Sequence, residues 1–280
     1  MTTPPLQVVP PTGPLLRAEH VTIEYAGARG TVRATEDVSF EVYRGDRFVL
    51  LGPSGCGKST LLKAVGGFIT PRAGSLQLKS KPITGPGPDR IVVFQEFDQL
   101  PPWKTVESNV MFPLLAGGVK KAEARERARH WLGKVGLARF ADAYPHTLSG
   151  GMKARVAIAR ALAMQPDILL MDEPFAALDA LTRRTMQEQL QSLWEGIGFT
   201  MLFVTHSIEE ALVVGNRILL LSPHPGRVRA ELNSHQFDLG SAGSVEFQAA
   251  NERIHRLLFG DGGIAAPRVA PAHTALQVHA

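Results

Sequence analysis

A chain of 280 residues, 44% hydrophobic and 20% charged, is long enough for one large domain or a domain with a subdomain, and apolar enough to bury a core. The formal net charge is +4, but Lys and Arg are scattered rather than gathered into a stripe, so no nucleic-acid partner is expected. The single cysteine, Cys56, excludes an internal disulfide and fits a reducing cytosol, and no apolar run approaches the ~18 residues of a membrane helix.

Residues 1–15 are Pro-rich, with no basic segment ahead of an apolar run, and read as a flexible lead rather than a signal peptide. Val21, Ile23 and Tyr25 alternate with polar residues, as do Val38, Phe40 and Val42, which predicts half-buried antiparallel strands. A turn at Arg44-Gly45-Asp46 leads into the apolar run Phe48-Val49-Leu50-Leu51. Leu76 and Leu78 mark a short strand, and Ile91-Val92-Val93-Phe94 reads as a strand buried on both faces. From 96 to 165 helical stretches dominate: Val106 to Leu115, Lys120 to Val135, and Gly151 to Met164, stopped by Pro166. Lys120 to Arg129 reads as a solvated face of mixed charge, with Glu123–Arg127 and Glu126–His130 four residues apart. Strands and helices then alternate: Ile168 to Met171, a helix from Thr182 to Trp194, Thr200 to Val204, a helix from Ile208 to Val214, and Ile218 to Leu221. Val228, Ala230 and Leu232 alternate again, Ser244 to Phe259 is amphipathic, and residues 261–280 read as a loose tail. The expected fold class is α/β: a P-loop core with a mostly parallel sheet, an antiparallel β subdomain and an inserted helical subdomain.

The chemistry starts at Gly52-Pro53-Ser54-Gly55-Cys56-Gly57-Lys58-Ser59, which fits G-x-x-x-x-G-K-[ST] between an apolar strand and a helix carrying Leu61, Leu62 and Val65. Its glycines let backbone N–H groups wrap a phosphate chain. Lys58 would reach the β- and γ-phosphates, and the Ser59 hydroxyl would ligate Mg²⁺. Cys56 occupies a variable position of the motif, and no chemistry is expected of it. In a parallel sheet, ligands sit beyond the carboxyl ends of the strands. Three more apolar runs here end in groups able to handle metal, water or phosphate: Gln95, Asp172-Glu173 and His206. Asp172 is the expected second Mg²⁺ partner, and Glu173 could accept a proton from an attacking water. Gln95 could ligate Mg²⁺ or orient water. Leu148-Ser149-Gly150-Gly151-Met152 precedes a helix whose free N–H groups suit an anion, with Ser149 adding a hydroxyl and the two glycines permitting close backbone approach.

Taken together, these motifs resemble the ATP-binding subunits of ABC transporters, over roughly residues 16–232 and in family order. The resemblance implies an ABC nucleotide-binding domain with its helical subdomain at about 96–165, followed by a C-terminal helical extension over 233–260. It implies Tyr25 as the aromatic that stacks on adenine and Gly52 to Thr60 as Walker A. Gln95 would be the Q-loop, Ser149 to Gly151 the core of the signature, Asp172 the Walker B acid and Glu173 the catalytic carboxylate. Asp179 would be the D-loop acid and His206 the switch histidine. ATP and Mg²⁺ would be held between two copies paired head to tail, the P-loop of one facing the Ser149 segment of the other. Transmembrane permease subunits would dock on the helical insertion near Phe97, Leu100, Pro101, Pro102 and Trp103, with a periplasmic or extracellular solute-binding protein in the full complex. The subunit would lie on the cytoplasmic face of the membrane. The segments Gly85 to Arg90, Leu100 to Trp103, Leu178 to Arg183 and Ser222 to Arg227 are similar to the nitrate/sulfonate/taurine importers. Two departures stand out: Ser207 in place of a common acidic residue, and Met152-Lys153 where Gln is commoner. Two other readings compete. A soluble ABC ATPase acting on nucleic acid or ribosomes would need tandem cassettes or a coiled-coil insertion, and a P-loop phosphotransferase would have no use for the Ser149 motif.

Lys58→Ala should weaken nucleotide binding by about tenfold or more, the scale of losing charge-assisted hydrogen bonds. A binding titration superimposable on wild type would remove Lys58 from the phosphate site.

Overall fold

The computed structural model describes residues 13–27, 30–94 and 99–260. The expected tail, most of the expected lead, Gln95 and Phe97 lie outside the described residues. Strands β1 (Leu16–Gly27) and β2 (Gly30–Val42) pair antiparallel. The chain then crosses to a second sheet as β3 (Arg47–Leu51), forms α1 (Lys58–Val65), and returns as β4 (Ala73–Leu78) and β5 (Lys81–Pro82). This closes a four-stranded sheet of order β2-β1-β4-β5.

The second sheet takes up β6 (Arg90–Val93), then waits while α2 (Val106–Ala116), α3 (Lys121–Lys134) and α4 (Gly150–Ala163) form the helical subdomain. It resumes with β7 (Ile168–Asp172), α5 (Ala180–Ile197), β8 (Met201–Thr205), α6 (Ile208–Val214), β9 (Arg217–Leu221) and β10 (Val228–Asn233), and α7 (Val245–Phe259) follows. Its order is β10-β9-β3-β8-β7-β6, all parallel except the antiparallel edge strand β10. The α/β class and the mixture of one parallel-cored and one antiparallel sheet are as expected from the sequence.

The unbroken apolar runs of β3, β7 and β8 follow from covering this sheet on both faces. Every residue of the three strands is buried, and alternate side chains enter different cores. Phe48, Leu50, Leu170, Leu202 and Val204 join α1 and the antiparallel sheet, while Val49, Leu51, Leu169, Met171 and Phe203 join the helices on the other face.

Three sequence readings need correction. Ile91 to Phe94 was expected to be buried on both faces, but β6 is the edge of the sheet. Its middle residues are half-buried, and Phe94, 38% exposed, lies outside the strand. An apolar run constrains burial but not position in the strand order. The helix expected over Thr182 to Trp194 is longer at both ends, because Asp179 caps it by accepting from the Thr182 N–H and Gly198 closes it in a left-handed conformation. The basic stretch of α3 is not only a solvated face. Glu123 and Arg127 do pair along the helix, but Arg125 and Arg129 reach across to the buried Glu107 of α2 at 3.0 and 2.7 Å. One carboxylate with both oxygens engaged thereby clamps α2 to α3.

Removing both cations at once (Arg125→Ala with Arg129→Ala) strands a buried negative charge and should lower the melting temperature by about 5–10 °C. Glu107→Gln, which removes the charge and keeps the shape, should lower it by less. Thermal denaturation of the two variants checks this order.

Candidate functional site

The strand order brings the predicted groups to one edge. β8 lies between β3 and β7, with Leu51 level with Thr205 and Val204 level with Asp172, so all three strands end together. The P-loop leaves β3 there and turns directly into α1. Gly57 starts that helix at φ 96°, and a Cβ on it would meet the Ala34 carbonyl oxygen of β2 at 2.6 Å. Both the backbone angle and the neighbour require glycine.

Lys58 is 4% exposed, and its ammonium donates to the carbonyls of Gly52 at 2.8 Å and Pro53 at 3.0 Å. Among the described residues no carboxylate forms a salt bridge with it, and its hydrogen bonds go to the loop's own carbonyls. Cys56 is fully buried beneath the loop, and burial pushes its thiol up, away from the reactive thiolate. The Ser59 hydroxyl donates to Asp172 Oδ1 at 2.6 Å. Burial raises the Asp172 carboxyl above the usual carboxylate range, and the Ser59 hydrogen bond pulls against that.

Glu173 follows with φ 44°, a left-handed backbone that costs a side-chain-bearing residue and recurs at functional turns. Its N–H still bonds to the Val204 carbonyl at 3.1 Å, and its carboxylate Oε2 lies 2.9 Å from His206 Nδ1. Tyr25 donates its hydroxyl to Thr60 Oγ1 at 2.9 Å, which fixes the half-exposed ring against the start of α1. A cleft of about 330 Å³ runs across this edge, walled by Tyr25, Ser54, Gly55, Gly57, Lys58, Ser59, Thr60 and Glu173. One molecule therefore gathers Walker A, Asp172, Glu173, His206 and Tyr25.

The other predicted residues are not part of this wall. Ser149 is exposed and caps α4, accepting from the Met152 N–H at 3.3 Å, with Gly150 half-buried beside it. Gly151 was expected to open room for phosphate. It is instead buried against α5, where a Cβ would meet Thr182 Cγ2 at 2.8 Å, so within the chain its missing side chain serves helix packing. The Asp179 carboxyl is drawn below its usual range by the Thr182 N–H it caps, and it does not line the cleft.

Sequence reasoning missed one side of the cleft. Val32 and Ala34 of β2 and His224, in the loop between β9 and β10, also line it. Their signal was available in the rule applied to the other strands. β9 is parallel to β3 and ends at Leu221 on the same edge, so the residues just beyond it belong near the P-loop.

Comparison with known proteins shows the family and the fold. Residues 35–176 match the ABC transporter family model. A taurine import ATP-binding protein, TauB, from Rhizobium johnstonii is 50% identical over 220 residues, covering 78% of this chain and 84% of that one. Among solved structures, CbiO1 from Clostridium perfringens, part of the ABC transporter complex cbiONQ, superposes with a TM-score of 0.72 at 28% identity over 88% of this chain and 97% of its own. An ATP-binding cassette solved as a dimer with ADP and Pi superposes with a TM-score of 0.69 at 34% identity over 79% of this chain and all of its own. The chain belongs to the ABC transporter family, as one of its ATP-binding subunits. It is an ATPase with the fold of the dimerising ATP-binding cassettes.

Glu173→Gln should keep ATP binding and slow hydrolysis by about 10²-fold or more, the lower range for losing a general base. Turnover close to wild type, measured as phosphate release, would take the proton-accepting role away from Glu173.

Proposed function

We propose that the cleft binds ATP with Mg²⁺, that a second copy of the chain completes the site, and that hydrolysis there drives import of a small sulfonate of the taurine kind through a membrane-spanning partner. The observation that carries the site assignment is the line of contacts Ser59–Asp172, Glu173–His206 at one end of a cleft that also holds the buried Lys58 ammonium.

The residues present fit Mg²⁺. A hydroxyl and a carboxylate oxygen, both hard donors, sit 2.6 Å apart, and burial makes the Asp172 carboxylate costly unless a cation meets it. Ser59 and Asp172 would hold the ion, with Gln95 as a third protein oxygen and the remainder from phosphate and water. When bound it would neutralise charge developing on the phosphate oxygens. The P-loop N–H groups and Lys58 grip the β- and γ-phosphates, and Lys58 gives up its hold on the Gly52 and Pro53 carbonyls for stronger anionic acceptors. Glu173 accepts the proton of the attacking water. His206, bonded to Glu173, fixes the direction of that carboxylate. Tyr25 offers its ring to the adenine.

Ser149, Gly150, Gly151 and Asp179 do not line this chain's own cleft. Their service to nucleotide therefore falls to the partner copy, whose P-loop they would close. The exposed α4 N-terminus, with its free N–H groups and the Ser149 hydroxyl, is the surface that would meet the γ-phosphate.

The helical subdomain supplies the membrane-facing contact. Trp103 is 76% exposed, so it is not core filler, and Pro102, Phe112 and Leu115 of the same subdomain are exposed while Pro101 is half-buried. Leu100, expected on that surface, is buried and instead belongs to the core. An exposed Trp103 next to stiff proline backbone suits a helix end of a transmembrane permease. Among the described residues no helix is long and apolar enough to cross a membrane. By its likeness to an import ATP-binding protein, this subunit would sit on the cytoplasmic face of such a partner. A solute-binding protein on the other side would deliver the substrate. The taurine reading rests on the likeness to the Rhizobium johnstonii import protein.

Ser149→Arg should leave ATP binding to the isolated chain within about twofold and abolish ATP-dependent dimers, since it places a bulky cation at the closing surface. Sedimentation with ATP and a hydrolysis-slowed background would read both. Dimers of unchanged stability would reject the two-copy arrangement.

A further inference from the structure

The loop from Ser222 to Arg227 is built as a platform rather than as a loose turn. Ser222 Oγ accepts from the Arg227 N–H at 3.0 Å, and the Ser222 N–H donates to the Arg227 carbonyl at 2.9 Å, closing the loop on itself. Gly226 bonds twice to β2: its N–H donates to Ala34 at 3.0 Å, and its carbonyl accepts from the Glu36 N–H at 2.9 Å. Arg227 adds an ion pair to Glu36 through Nε at 3.0 Å and Nη2 at 2.6 Å, and this pair draws the Glu36 carboxyl below its usual range. Gly226 also lies so close to the Cys56 carbonyl that a Cβ would collide with it. The loop is thereby seated on both β2 and the back of the P-loop.

The residue this platform presents is His224. It is exposed and lines the same cleft as Ser54, Gly55, Lys58 and Ser59. Among the described residues its imidazole has no hydrogen-bond partner, while every polar neighbour in the loop is engaged. An imidazole always carries at least one N–H donor. In a cleft built to hold an anion, an idle donor on a rigid mount has an obvious acceptor.

We propose that His224 is a further nucleotide-binding residue, donating a hydrogen bond to the phosphate chain of the nucleotide held by the P-loop. This rests on the reading of the cleft as the ATP site and extends it to a strand end outside the family's named motifs. Arg227 does not line the cleft and acts as a positioning residue, through the loop and Glu36.

The experiment is a nucleotide titration of the full chain with ATP and with GTP, alongside steady-state hydrolysis. His224→Ala should weaken both nucleotides by about tenfold, raise KM by a similar factor and leave kcat within about twofold, the scale of one charge-assisted hydrogen bond. His224→Gln, which keeps a donor, should recover most of that loss. Arg227→Ala should weaken binding in the wild-type background and have no further effect on His224→Ala, because its influence passes through the imidazole. Unchanged affinity in His224→Ala with its melting temperature intact would overturn the proposal, as would a loss confined to ATP, which would mean a base contact. Wild-type chain that binds neither nucleotide, or binds regardless of Lys58→Ala, would instead bring down the underlying assignment of the cleft.

Discussion

A single half-buried hydrogen bond, from the Ser59 hydroxyl to the Asp172 carboxylate, joins two segments 113 residues apart in the chain. It forms only if α1 begins at Lys58 and β7 ends with a single strand, β8, between it and β3, so it reports on the P-loop turn, the strand order and the register at once. The same bond explains why an acid can remain at the bottom of an apolar sheet. Asp172 is buried at the end of a strand whose other members are all hydrophobic, and the one side chain that answers it is a hydroxyl. A hydroxyl partly offsets the burial of a carboxylate without cancelling its charge. The deficit left over is chemical capacity: the Asp172 carboxylate stays short of a cation, next to the loop that leaves room for a phosphate.

The P-loop is braced from several directions. Ala34 of β2 closes on Gly57, the Gly226 turn closes on the Cys56 carbonyl, and Leu51 and Leu220 pair beneath it. Lys58 is tied to carbonyls of the loop itself. A loop held at this many points keeps its N–H groups directed before any nucleotide arrives, which lowers the ordering cost of binding. The antiparallel sheet thus does more than carry Tyr25. It forms one wall of the cleft and one support of the loop inside it.

What was legible in the sequence followed from burial and motif geometry. Strands β3, β7 and β8 were plain because both faces of each are covered, so their runs are apolar without interruption. Walker A, Asp172-Glu173 and His206 were plain because each ends such a run. The same signal misplaced β6, since an edge strand that touches the cores on both faces can be as apolar as a central one. The clamp of Arg125 and Arg129 on Glu107 was hidden because its partners lie on different helices, and local spacing sees only pairs such as Glu123–Arg127. His224 was hidden for a different reason. Its loop has the proline and glycine of an ordinary turn, and the contact that gives it meaning, Gly226 on Cys56, is between backbones and leaves no pattern in side-chain type.

The packing of Gly151 against Thr182 has a mechanical meaning. It fastens the first turn of α4 to the first turn of α5, so the surface bearing Ser149 and the turn capped by Asp179 travel as one piece. Arg183, one residue beyond Thr182, continues the linkage by donating to the carbonyls of Phe175 and Leu178, in the segment that departs from Glu173. In the proposed head-to-tail pair, a tug on Ser149 by the neighbour's triphosphate would be felt in the segment that follows the molecule's own Glu173. Each half of such a motor could then sense whether the opposite chamber is loaded before firing its own.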